Sequence, residues 1–256
     1  MLQAHSLLWH YLWVAPSVLL LILAIFLFKK RLHSQYPVFF VFAVASSVTE
    51  LAVYTSDVVS WVQPRTFWIV FWCGLLIEGI LKFVLIGEIF AHVFDAYASI
   101  ARLGRILIRA AGVILILLAA VLAGSAPKDT PFAIISGAHL LEQTVYLIES
   151  GLLVFIFLFS AYFRLHASRP VFGIALGLGI SACVHLATWA LLANGGLPTS
   201  NRIILDFVNM ATYHACVLIW FYYLLLPPRV ATKSAVSLPE HNLELWNREL
   251  ERFLQP

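Results

Sequence analysis

Residues 71–94 read FWCGLLIEGILKFVLIGEIFAHVF, and apart from Glu78, Lys82, Glu88 and His92 they form a plain apolar run. A spanning helix needs about 20 apolar residues for a hydrocarbon core of about 30 Å, and this run is long enough. A charge at the centre of such a helix costs roughly 2.5–3.5 kcal/mol on insertion scales, so embedded ionisable groups are rare and usually tied to function. The stretch sets the expected fold class, a helical membrane protein, and points at a site inside it.

The rest of the chain agrees. Of its 256 residues 62% are hydrophobic and 11% charged, against about 25% charged in ordinary soluble domains. The mean hydropathy is +0.92. Seven runs are long enough to span: 12–28, 37–56, 67–94, 106–124, 132–163, 171–193 and 203–226. Loop punctuation separates them, at Tyr36-Pro37, Gln63-Pro64, Ala126-Pro127, Arg169-Pro170, Asn194-Gly195-Gly196 and Pro227-Pro228. The expectation is an all-α integral membrane protein: a seven-transmembrane-helix bundle over 1–228 and a cytoplasmic tail over 229–256 with a short amphipathic helix. The first run lacks a basic leader and a small-residue cleavage site and ends in Lys29, Lys30 and Arg31, so it reads as a retained helix. Cys73, Cys183 and Cys216 fall inside apolar runs, where a thiol behaves as a small hydrophobe, and no CxxC pair is present.

Orientation follows from Lys and Arg, which cytoplasmic loops retain. One side holds Lys29, Lys30, Arg31, Arg102, Arg105, Arg109, Arg164, Arg169, Arg229 and Lys233; the other holds Arg65, Lys128 and Arg202. This predicts an N-terminus outside the cell membrane and a cytoplasmic C-terminus. It also explains the formal charge of +3 without nucleic acid. Microbial rhodopsins share this topology, but a retinal Schiff base needs a lysine in the last helix. Residues 203–226 have none, so no retinal is expected.

Six acidic residues lie inside runs, Glu50, Glu78, Glu88, Glu142, Glu149 and Asp206, and only Lys82 opposes them. Hydrocarbon does not tolerate that imbalance without protonation, hydration or pairing. At about 1.5 Å rise per residue, Glu50, Glu78, Lys82, His139, Glu142, Glu149, His185, Asp206, Asn209 and His214 share an outer-to-middle slab. That common depth predicts one polar cavity reached from outside. At about 100° per residue, His139, Glu142, Tyr146 and Glu149 form one polar stripe on the fifth run. Asp206, Asn209 and Tyr213 form another on the seventh run, and Glu50, Tyr54 and Asp57 a third on the second. Glu78 precedes Lys82 by four residues, the favourable order for a same-helix ion pair. The stripe from His139 to Glu149 is the leading candidate, with Lys82 the sole embedded positive charge.

Each feature also has a plain structural reading. The Glu78–Lys82 pair can fix helix register, the stripes can hydrogen-bond neighbouring helices, and single histidines can be packed core groups. Glu88 and His92 can snorkel toward the inner headgroups. Trp9, Trp13, Trp61, Trp68 and Trp72 read as interface anchors. His139, Glu142, His185, His214 and Asp206 could ligate Zn or non-haem Fe, and two facing histidines could hold haem. No HExxH or ExxH pair supports either, so no metal site is assigned.

The tail, SLPEHNLELWNRELERFLQP, carries an apolar stripe of Leu243, Trp246, Leu250, Phe253 and Leu254 after a Ser237/Glu240 capping box. Its charged face bears Glu240, Glu244, Glu249 and Glu251 against Arg248 and Arg252, too acidic for simple attraction to an anionic leaflet. It is expected to dock, over 238–254, on the basic loops of its own chain, on a cytoplasmic protein or on a second copy. Taken together, the residues favour a receptor-like membrane protein over an enzyme. It would bind a small polar or cationic ligand in its cavity and act through a separate partner. A proton-coupled solute transporter, a metal- or haem-binding membrane enzyme and an accessory subunit of a membrane complex are the alternatives.

Overall fold

The computed structural model describes residues 5–59, 61–94, 131–162, 168–193 and 199–226, the side chains of 131–142, 159, 162, 193 and 199–201 excepted, together with helical positions between 102 and 121. The apolar runs form helices α1 (Leu7–Lys29), α2 (Pro37–Val58), α3 (Pro64–Val93), α4 (Pro131–Tyr162), α5 (Arg169–Ala193) and α6 (Thr199–Leu225), with a 3₁₀ turn at Leu32–Ser34. No strand occurs among the described residues. The fifth, sixth and seventh runs are thus α4, α5 and α6. Residues 109–114 of the fourth run are helical; most of that run and the whole tail from 227 lie outside the described residues. Helices α1, α2, α3, α5 and α6 each contain a stretch long and apolar enough to cross a membrane, and α4 contains the apolar stretch Gln143–Leu158. The chain is a helical, multi-pass membrane protein.

Local chemistry starts these helices. Pro37, Pro64, Pro131 and Pro170 occupy first turns, where the missing N–H has no intrahelical partner to lose. At the start of α1 the Ser6 hydroxyl accepts from the Trp9 amide at 3.3 Å. Helix α2 has no side-chain cap of its own. Glu88 of α3 supplies it, accepting from the Val38 and Phe39 amides at 3.1 Å each. An anion at a helix N-terminus satisfies orphan donors and complements the helix dipole. Glu88 therefore joins two helices where the sequence suggested a snorkelling side chain.

The described helices close a ring in chain order, each packing on the next and α6 returning to α1. One half of the ring is dry. Leu20, Leu23, Leu27, Phe39, Phe42, Leu85, Ile86, Leu153, Trp220 and Leu224 are all under 5% exposed there. The Trp220 indole stands edge-on to Phe39 and Phe42, with centroids 5.5 and 5.9 Å away. Its Nε1 donates to the Ile174 carbonyl at 3.3 Å. This approach of α6 to α5 requires Gly173 and Gly177, where a Cβ would run into Tyr223 and Trp220. Small residues at such contacts let membrane helices pack closely. Ile22, Ile25, Phe28, Val41, Val48, Ile80 and Val84 instead face outward, an apolar exterior of the kind that marks a membrane surface.

Several contacts place helix ends together. Lys30 Nζ donates to the Leu225 carbonyl at 3.4 Å, and Tyr36 and Ser168 hydroxyls meet at 3.5 Å. Arg169 lies over the rings of Tyr222 and Tyr223, 5.2 and 5.6 Å from their centroids. The C-terminal ends of α1, α3 and α6 therefore share one end of the bundle with the N-terminal ends of α2 and α5. Helices α3 and α4 run parallel: Gly79 lies against Val145, and Lys82, further along, against Glu149.

Candidate functional site: a polar cavity within the helix ring

Away from the dry half, toward the end that carries the start of α1, the ring holds a partly open cavity of about 210 Å3. Each of helices α1–α6 contributes to its wall: Leu12 and Trp13 from α1, Thr49, Glu50 and Val53 from α2, and Phe71, Gly74, Leu75, Glu78 and Lys82 from α3. Tyr146 of α4, Ser181 and His185 of α5, and Asn209, Met210 and Tyr213 of α6 complete it. Such a volume is below the range of about 300–1,000 Å3 usual for drug-sized ligands, so it suits a compact one.

Lys82 is the hub. Its Nζ lies 3.2 Å from Glu78 Oε1 and 3.8 Å from Glu149 Oε2, so one ammonium serves two carboxylates on two helices. The same nitrogen sits 4.7 Å from the centroid of the Tyr146 ring, within range of a cation–π contact. Tyr146 in turn stacks on His185, with centroids 4.5 Å apart and an interplanar angle of 23°. His185 Nδ1 lies 2.9 Å from the Ser181 carbonyl oxygen. A carbonyl only accepts, so this ring nitrogen carries the proton. Glu149 is 1% exposed, and neither of its oxygens has a hydrogen-bond partner among the described residues; its relation to Lys82 is charge proximity alone.

The remaining wall is held by side chains that bond one another. Trp13 Nε1 donates to Glu50 Oε2 at 3.2 Å, the hydroxyls of Ser46 and Tyr213 meet at 3.3 Å, and Thr188 donates to Asn209 Oδ1 at 3.0 Å. The Tyr54 hydroxyl lies 3.1 Å from His10 Nδ1 beside this group. Pro16, inside α1, has no N–H to offer the Leu12 carbonyl one turn earlier.

The sequence candidates therefore divide by position. Glu50, Glu78, Lys82, Tyr146, His185 and Asn209 line the cavity, and Glu149 stands behind Lys82. Asp206 is exposed. His214 packs on Tyr11, with centroids 5.7 Å apart, and neither it nor Asp206 lines the cavity. The side chains of His139 and Glu142 lie outside the described residues. Among the described residues no group of three His, Cys, Asp or Glu is arranged to hold a metal ion. Trp13, Thr49, Ser181, Met210 and Tyr213 join the wall without being singled out as ligand-binding from the sequence. Trp13 read as an interface anchor, and its donation to Glu50 crosses from one helix to another, which periodicity along a single helix does not reveal.

No family model, curated protein or solved structure matches the chain.

Proposed function

We propose that this protein is a receptor-like binding protein of the cell membrane. A compact polar ligand enters the cavity, and the chain acts through a separate partner on its basic, cytoplasmic side. One observation carries the reading: ionisable and hydrogen-bonding side chains from six helices converge on one cavity of about 210 Å3 inside an apolar bundle. Polar groups at membrane depth cost free energy, and a shared cavity is the arrangement in which they serve a ligand. The dry half formed by Phe39, Phe42, Leu85 and Trp220 lies between the cavity and the basic end. A cavity backed by dry packing favours binding over conduction.

Seven crossings, with the N-terminus outside, are part of the same reading. Parallel α3 and α4 support it, because a further crossing by the run at 106–124 would connect them. The basic residues gathered at one end, Lys30 and Arg169 among them, support the orientation.

The test is a thermal-stability screen of the purified full chain in detergent against small polar solutes, run in parallel on Ser181→Phe. The larger ring projects into the cavity from α5, so solutes that stabilise the parent lose their effect on the variant. Equal stabilisation of both proteins overturns the cavity reading.

A further inference from the structure

Resting on that reading, we propose that the ligand is a compact organic cation, and that it binds by exchanging places with the Lys82 ammonium, which passes from Glu78 to Glu149. Charge points to the class. Glu50, Glu78 and Glu149 stand against Lys82 alone in and behind the described wall. An anionic ligand would meet two carboxylates at the wall and an ammonium already engaged. A cation meets Glu50 and Glu78 in a wall that also carries the aromatic side chains of Trp13 and Phe71. Carboxylates with aromatic rings are the combination that holds ammonium groups.

Geometry points to the exchange. Glu78 faces the cavity, and Lys82 holds it at 3.2 Å. Glu149 is buried behind, does not line the cavity, and has no hydrogen-bond partner among the described residues, yet lies only 3.8 Å from the same Nζ. A lysine side chain spans that difference by rotation about its terminal torsions. The arriving cation takes over Glu78, Lys82 closes on Glu149, and no charge is left unpaired in the step. Because Glu78 and Lys82 belong to α3 and Glu149 to α4, occupancy tightens the α3–α4 contact. That is a differential interaction of the kind a ligand needs in order to shift a conformational equilibrium.

The experiment uses the full chain in detergent and reads melting temperature against tetramethylammonium, methylammonium, acetate and acetamide, with sodium chloride matching ionic strength. The organic cations stabilise in a saturable way; acetate and acetamide do not. Glu78→Gln abolishes the effect. Glu149→Gln, which does not touch the ligand, raises the half-saturating cation concentration by about tenfold, in the lower range of coupling between distinct sites. The double variant Lys82→Met/Glu149→Gln keeps the local charge and removes the competitor, so it lowers that concentration below the parent value. Should Glu149→Gln fail to fold, Glu149→Asp, which keeps the charge but shortens the side chain, gives a smaller rise. Stabilisation by acetate or acetamide but not by cations overturns the cation while leaving a small-ligand site. Stabilisation by none of the probes overturns both. Cation binding unmoved by Glu149→Gln or Glu149→Asp, or not tightened in the double variant, overturns the exchange.

Discussion

Lys82 shows what a single residue does in this bundle. It is 6% exposed and the only lysine or arginine that is buried among the described residues, and two glutamates depend on it. Removing one partner of a buried pair is costlier than never having had the pair, because the stranded charge keeps its desolvation penalty. Lys82→Met is therefore expected to destabilise the protein by about 3–5 kcal/mol, read as a fall in the unfolding midpoint of the detergent-solubilised chain. Combining it with Glu78→Gln and Glu149→Gln removes the stranded charges and restores much of the loss. Stability in the single variant equal to that of the parent would mean that Lys82 is not the counter-ion of this site.

Among the helices, the decisive bonds are those that one element supplies to another. Helix α2 begins with Tyr36 and Pro37 and caps none of its own amides, so its first turn is finished by Glu88 from α3. Replacing Glu88 by Ala strands the Val38 and Phe39 donors and is expected to cost about 0.5–2 kcal/mol, the range for a lost N-cap. Glu88→Gln keeps an acceptor and loses less, a ranking that thermal denaturation of the two variants checks. The α5–α6 contact follows the same logic through shape, since Gly173 and Gly177 are the space that Tyr223 and Trp220 fill. Period and hydropathy find these helices easily. Their partners are invisible to a one-dimensional reading, because Glu88 and Val38 are 50 positions apart.

Across the whole molecule, two halves of the bundle have opposite character, a polar cavity at one end and a dry core toward the other. Lys29, Lys30, Arg31 and Arg169 lie at the second end, which the proposed orientation puts in the cytoplasm. A reporter active only in the cytoplasm is expected to work when fused after Pro256, and a cysteine introduced at Gln63 to be labelled from outside in intact cells; the reverse pattern would invert the bundle and turn the cavity inward. Depth along each helix placed Glu50, Glu78, His185 and Asn209 in one slab, and these residues do line one cavity. Residue counting gives Asp206 and His214 the same depth, yet Asp206 is exposed and His214 packs on Tyr11, away from the cavity lining. Depth follows from counting residues, whereas facing depends on how each helix is rotated against its neighbours.

Composition and periodicity by themselves determined that this chain is helical and multi-pass, because hydrocarbon demands long apolar runs with their backbone groups satisfied internally. Spacing alone also determined the Glu78–Lys82 pair, since four residues bring two side chains onto one helical face. Only the tertiary structure decided that Glu149 shares the same ammonium, that Trp13 belongs to the cavity, and that Glu88 caps another helix. The physical reason is common to all three. Each is a polar contact between helices, and its geometry is set by the packing of apolar faces whose rotation no single helix encodes.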